Sequence, residues 1–206
     1  MITEKLVLGP LHTNCYIIYD DLTKEAAVID PASDFNIISA KISELGIKVK
    51  YIILTHAHTD HISALDELKD YTSAKICIGK DDNSALNDSN LNLCIYFETK
   101  SPVSKADISI NDKDILKLGD KTITFITTPG HTIGSISVLY DNCVISGDTL
   151  FYESVGRSDF PTGSSKALIE SIRTKLYTLS DDTVVYPGHG ELTTIGHEKN
   201  NNMFVW

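Results

Sequence analysis

Seven side chains of this 206-residue chain have the types and spacing of a metal centre. Four fall together in the run His56-Ala57-His58-Thr59-Asp60-His61. At this composition that spacing of three His and one Asp arises by chance about 0.0007 times per chain, so scattered surface histidines do not explain it. The other three recur in one context. His131 follows the apolar residues 123–126 through Thr127-Thr128-Pro129-Gly130. Asp148 follows 144–145 through Ser146-Gly147, and His189 follows 184–186 through Pro187-Gly188. Each time an apolar strand ends, a Gly permits close backbone approach, and a ligand-type side chain comes next. The first motif itself follows Tyr51-Ile52-Ile53-Leu54, an all-apolar run that reads as a buried strand. Four strand ends thus present ligands at one common edge.

Five His and two Asp make a nitrogen and oxygen donor set. Imidazole suits Zn, Fe, Cu or Ni, and carboxylate adds hard-oxygen character. Seven donors exceed the three or four that one catalytic Zn takes. They divide between two ions sharing one carboxylate, and ions ~3.5–4 Å apart clamp the attacking and leaving atoms of a displacement. The expected cofactors are two divalent metal ions, Zn first, with Fe or Mn also accepted by such donors.

The elements that must hold these residues alternate between strand and helix. Residues 6–8, 15–19 and 26–29 read as three close strands, too tightly spaced for crossover helices, hence an antiparallel meander. Ser33 reads as an N-cap, Phe35, Ile38, Ile42 and Leu45 share one helical face, and Gly46 supplies the stop. Leu65 and Leu68 mark a short helix, and 75–78 a strand. Residues 81–112 are rich in Asp, Asn, Ser and Lys without a sustained period, and so read as an irregular loop and candidate lid. Strands resume at 115–118, 123–126, 136–139 and 144–145. The stripe Leu168, Ile169, Ile172, Leu176 and Leu179 predicts a helix, and 183–186 a last strand. Two groups of strands with helices between them predict a layered α/β sandwich, read as a single domain over 1–206.

Composition excludes several classes. There are 18 Lys+Arg against 28 Asp+Glu, a net charge of −10. That balance opposes broad nucleic-acid binding, which rests on cation–phosphate contacts. No apolar run approaches the ~18 residues of a membrane span. No basic region followed by an apolar stretch marks a secretory signal at the start. The four Cys (Cys15, Cys77, Cys94, Cys143) lack a C-x-x-C spacing and read as reduced thiols, so a cytoplasmic protein without nucleic-acid or membrane partners is expected.

The pattern His56-x-His58-x-Asp60-His61, with His131, Asp148 and His189 downstream, resembles the metallo-β-lactamase-fold hydrolases over essentially the whole chain. The resemblance implies an αββα four-layer sandwich with the site at one edge of its two sheets. It implies one metal on His56, His58 and His131, a second on Asp60, His61 and His189, and Asp148 as the bridge. A bridging Asp is absent from the familiar class B β-lactamases, which turns the resemblance away from antibiotic hydrolysis. The run Gly147-Asp148-Thr149-Leu150-Phe151, then Gly156-Arg157-Ser158-Asp159, is similar to glyoxalase II and its short relatives, as is Thr194-Ile195-Gly196-x-Glu198-Lys199. Full-length glyoxalase II holds glutathione with basic residues of a C-terminal helical region that does not map onto this sequence.

The implied activity is hydrolysis of a small thioester of the S-2-hydroxyacylglutathione kind, by a hydroxide shared between two metals. Asp60 has the implied catalytic role, orienting that hydroxide and shuttling a proton. Two alternatives share the fold: a persulfide dioxygenase with one non-haem iron on His56, His131 and Asp148, and a lactone hydrolase. Tyr152 and Arg157 are candidate substrate contacts, Arg157 reading first as an ion pair with Asp159. His12 and His197 read as non-ligands, and Thr55 and Thr132 as hydrogen-bond partners of the ligating rings.

Overall fold

A computed structural model of the chain describes residues 1–206. Strands β1 (Ile2–Leu8), β2 (Thr13–Tyr19) and β3 (Glu25–Ile29) form the expected antiparallel meander. Helix α1 (Phe35–Leu45) crosses to β4 (Lys48–Leu54), which pairs parallel with β3. The one-turn helix α2 (Thr59–Ile62) and α3 (Leu65–Thr72) lead to β5 (Lys75–Gly79) and then to β6 (Ile108–Ile110). These six strands make one sheet in sequence order.

The second sheet starts with the antiparallel strands β7 (Ile115–Leu118), β8 (Lys121–Thr127), β9 (Ile136–Tyr140) and β10 (Cys143–Gly147). A small hairpin of β11 (Leu150–Phe151) and β12 (Ser154–Val155) follows, then α4 (Ser165–Thr174). Strand β13 (Val184–Pro187) returns parallel to β10, β14 (Thr193–Thr194) closes that edge, and α5 (Ile195–Asn201) ends the main architecture.

Side-chain alternation turns this order into layers. In β2, Cys15, Ile17 and Tyr19 face α1 and α3, while Tyr16 and Ile18 face the second sheet. In β9, Ile136, Val138 and Tyr140 join the core between the sheets, and Leu139 points to the outer core under α4. The central strands β2, β3, β5 and β10 are covered on both faces and read as near-continuous apolar runs, whereas the outer strands β7 and β8 alternate. Three cores, helix–sheet, sheet–sheet and sheet–helix, constitute the αββα sandwich that the sequence implied.

Local departures have physical causes. Asp34, not Ser33, is the N-cap of α1, and it caps with no side-chain bond. Its carboxylate instead accepts from the Gly9 N–H and the Ser33 hydroxyl, tying the β1–β2 turn to α1. The stripe ending at Leu179 is not one helix. Lys175 leaves helical geometry at φ −120°, its ammonium donates to the Thr127 carbonyl, and Leu176–Thr178 form a 3-10 turn. Residues 81–112 are less irregular than expected, holding the 3-10 turn Ala85–Asn87 and all of β6. Buried polar anchors order this segment despite its lack of period. Asn92 donates to Leu86 O, accepts from the Cys94 N–H, and its carbonyl accepts from the Thr59 N–H. All four Cys are free, and burial pushes the Cys77 thiol up to about 12. No helix is long and apolar enough to cross a membrane.

Candidate metal centre

The strand ends of β4, β8, β10 and β13 meet at one edge of the sandwich. All seven expected side chains come together there. Ring nitrogens of His56, His58 and His131 form one group, and Asp60, His61 and His189 another. His56, His61 and Asp148 form a third that joins the two. Asp148 Oδ2 lies 3.6 Å from His131 Nε2 and 3.6 Å from His189 Nε2, so one oxygen faces both groups.

Fixed acceptors decide which ring nitrogen carries each proton. His61 Nδ1 lies 2.9 Å from Asp30 Oδ2, His131 Nδ1 2.6 Å from the Arg157 carbonyl, and His189 Nδ1 3.2 Å from the Leu11 carbonyl. Each of these oxygens only accepts, so Nδ1 donates. Thr55 Oγ1 spends its proton on Asp30 at 2.7 Å and therefore accepts from His56 Nδ1 at 3.1 Å. The Nε2 atoms of all four rings are left facing the centre.

That arrangement fits cations. His131 Nε2 sits 3.1 Å from His56 Nε2 and 2.8 Å from His58 Nδ1. With the His56 and His131 protons placed elsewhere, the 3.1 Å contact is lone pair against lone pair, which only a shared positive charge stabilises. His61 Nε2 and Asp148 Oδ1 are buried without a hydrogen-bond partner, 3.3 Å apart. Such orphaned atoms demand an explanation, and a bound ion is the ordinary one.

Electrostatics agrees with two unlike halves. Burial drives His56 well below its ordinary value, and neighbouring imidazoles add to the effect. Burial and His131 bring His58 down to about 3. Burial also opposes charge on His61, but Asp60, Asp148 and Asp30 outweigh it and hold His61 well above its ordinary value. Burial opposes the charge on Asp148, yet His61, His131 and His189 keep its carboxyl down at about 2.

The surrounding fold aims these groups. Asn14 Nδ2 and Tyr16 Oη both donate to the Pro187 carbonyl, and the Asn14 N–H to Gly188 O, so β2 clamps the loop carrying His189. Thr13 Oγ1 donates to Asp60 Oδ2 at 2.9 Å. Gly188 must lack a side chain, since a Cβ there meets Asp148 Oδ1 at 2.1 Å.

Asp30, Asp82 and Thr13 escaped the sequence reading. Asp30 carried a usable signal, because it follows strand residues 26–29 just as Asp148 follows 144–145. Asp82 accepts from the Ala57 N–H, the Thr132 hydroxyl and the Gly134 N–H, binding the His56–His58 loop to the His131 loop. Thr132 therefore serves Asp82, whereas Thr55 does reach a ligand ring. Arg157 makes its bidentate pair with Asp159 at 2.9 and 2.7 Å, stacks over Phe160 and lines the cleft. Tyr152 lies outside that cleft, stacked on His197, whose Nε2 pairs with Glu153. Neither His12 nor His197 joins a donor group.

The cleft over the centre has a volume of about 430 Å³. Leu93, Phe97, Phe151, Val155 and Phe160 form its apolar walls around His58, Asp60, His131, Asp148 and His189. Apolar walls around a few convergent polar groups are the usual make-up of a small-molecule site.

Residues 8–189 match the family model of the metallo-beta-lactamase superfamily. The chain is 36% identical to hydroxyacylglutathione hydrolase GloC of Haemophilus influenzae, over 98% of this chain and 97% of that protein. The crystal structure of BLEG-1 B3 metallo-beta-lactamase superposes with a TM-score of 0.94 at 35% identity, covering 99% of each chain. That of TTHA1623 in a di-iron-bound form gives 0.86 at 29% identity, over 98% of this chain and 99% of that one. With this fold, a converging His/Asp centre and these relatives, the chain belongs to the metallo-beta-lactamase superfamily and is a metallo-hydrolase.

Proposed function

We propose that the chain is a binuclear hydrolase of small thioesters. His56, His58 and His131 would hold one ion, Asp60, His61 and His189 the other, with Asp148 between them. The observation that carries the two-ion reading is the Asp148 oxygen equidistant, at 3.6 Å, from His131 and His189. The likeness to GloC supports a thioester as the bond cleaved, and the di-iron form of TTHA1623 supports two ions.

Bound divalent ions supply a water that ionises near neutral pH and a Lewis acid for the carbonyl oxygen. The protein supplies position. Asp60, fixed by Thr13 and kept ionised by His61 and His189 against the cost of burial, accepts a hydrogen bond from the attacking water and orients it. Addition of the water oxygen opens the C=O bond to a tetrahedral centre, whose collapse restores C=O and breaks the C–S bond, while Asp60 relays the water's proton to the departing sulfur. Phe151, Val155 and Phe160 exclude competing water from the reacting carbon. Ser154 and Arg157 border the same cleft and offer polar contact to the thiol carrier.

A lactam amide is the second reading, favoured by the likeness to BLEG-1. One experiment separates the readings: thiol release from S-lactoylglutathione and simple acyl thioesters, beside hydrolysis of a chromogenic lactam and oxygen uptake with glutathione persulfide. Thiol release dominating by ~100-fold in kcat/KM is expected, since a site is matched to its own transition state. Dominant lactam cleavage, or oxygen uptake without thiol release, would overturn the proposal.

A further inference from the structure

A second cavity adjoins the metal centre. Leu11, Asp60 and Phe97 line both it and the cleft, so the two are lobes of one site divided by Leu11 and Phe97. The second lobe has a volume of about 290 Å³, with apolar walls from Leu8, Pro10, Leu11, Ala32 and Phe97. Its hydroxyls are already engaged. Thr13 donates to Asp60 at 2.9 Å and Ser33 to Asp34 at 3.0 Å. Thr59 and Thr99 bond each other at 2.7 Å, and Ser63 donates to the Thr59 carbonyl at 2.6 Å. The lobe's hydroxyl protons are therefore spent within the protein, and most of the surface it offers is apolar. Its wall is fixed as well, because the Asn92 carbonyl accepts from Thr59 N–H at the base of the loop that carries Phe97.

We infer that this lobe holds an apolar acyl arm several carbons long, while the thiol carrier lies in the wider cleft beside Arg157. The inference rests on the thioester reading and names its substrate class. Charge decides which arm goes where. Among residues lining the two lobes, the one Lys or Arg is Arg157, in the wider cleft, and the one charged group of the second lobe is the Asp60 carboxylate. A carrier bearing carboxylates or phosphates is drawn to Arg157, which leaves the second lobe, without a cationic side chain, to the alkyl chain.

The test has two readouts. Calorimetry measures binding of straight-chain alkanoates, from acetate to octanoate, to the protein as purified. Kinetics measures kcat/KM over the matching acyl thioesters. Both rise by about fourfold per methylene until the lobe is full, the increment for a buried CH2. Ser63→Phe, on the exposed rim of the lobe, flattens both series. Thr99→Leu is a second rim variant should the first not fold. Ratios between chain lengths are read within one preparation, so metal loss or partial unfolding does not alter them. Thioester cleavage with both series flat, or with slopes unchanged in folded variants, overturns the acyl-arm assignment and leaves the thioester reading standing. No cleavage at any length, with alkanoate affinity still rising and flattened by the variants, overturns the thioester reading and supports an apolar arm in this lobe.

Discussion

The Asp30 carboxylate accepts from His61 Nδ1 at 2.9 Å, with both side chains sealed from solvent. That bond fixes the ring so that Nε2 points at Asp60 and Asp148, 3.4 and 3.3 Å away. Partners of this kind are worth 10–100-fold in metal affinity. Asp30→Asn keeps an acceptor for the Thr55 N–H but removes the charge behind His61. Its affinity for the more weakly held ion is expected to fall by about 10–100-fold, measured by chelator competition. An unchanged affinity would show that Asp30 only supports the backbone of Thr55.

The two donor groups differ in what metal binding must displace. His61 and His189 are both raised, despite burial that works the other way, by the carboxylates around them. Without metal each holds its proton more tightly than an ordinary imidazole and binding must expel it, so affinity falls as pH falls, by up to about tenfold per pH unit per proton. His56 and His58 are lowered, by burial first, and have nothing to release near neutral pH. On the two-ion proposal, an ion on Asp60, His61 and His189 should therefore be lost first as pH falls, and one on His56, His58 and His131 later. Metal content after dialysis at stepped pH checks this, and simultaneous loss would contradict it. In the stripped protein the raised His61 adds stability that is complete below its unfolded pKa of ~6.5 and lost as pH rises through its folded value. Stripping thus costs most stability on the alkaline side.

Asp82 is a structural counterpart to these electrostatic effects. Burial raises its carboxyl, and three donors from two ligand-bearing loops hold it. Asp82→Ala leaves those donors without their buried acceptor, at a cost of about 2–4 kcal/mol. The urea midpoint should drop accordingly, and a shift near zero would mean that water replaces the carboxylate without loss.

Gly188 tests geometry without altering any donor. An alanine Cβ would meet Asp148 Oδ1 at 2.1 Å and His61 Cε1 at 2.9 Å, so the bridging carboxylate must move. Misplacement on the ångström scale costs about 10²-fold in rate. Gly188→Ala should lose about that much kcat/KM, and an unchanged kcat/KM in the folded variant would show that the carboxylate shifts without consequence.

The convergence of the seven side chains and the sandwich were legible because their signals are local. Each ligand follows an apolar strand, and Gly marks the tight turns at Gly130, Gly147 and Gly188. Asp82 was hidden because its partners, Ala57, Thr132 and Gly134, are 25 to 52 residues away, and nothing in its own neighbourhood shows a period. The order within 81–112 was hidden for a related reason. Asn92 and Asp66, which accepts from the Val103 and Ser104 N–H groups, hold that segment by side-chain bonds rather than by apolar periodicity. The stripe through Leu179 was overread because burial at helical spacing does not require an unbroken helix: the 3-10 turn after Lys175 still delivers Leu176 to the same core.

The measurement that bears most directly on the proposed centre is metal content per chain, by elemental analysis of protein purified without added metal or chelator. Wild type should carry about two divalent ions and Asp148→Ala about one, with thiol release lost in the variant. About one ion in wild type, or an Asp148→Ala protein that retains both metal and turnover, would contradict the bridged two-metal account.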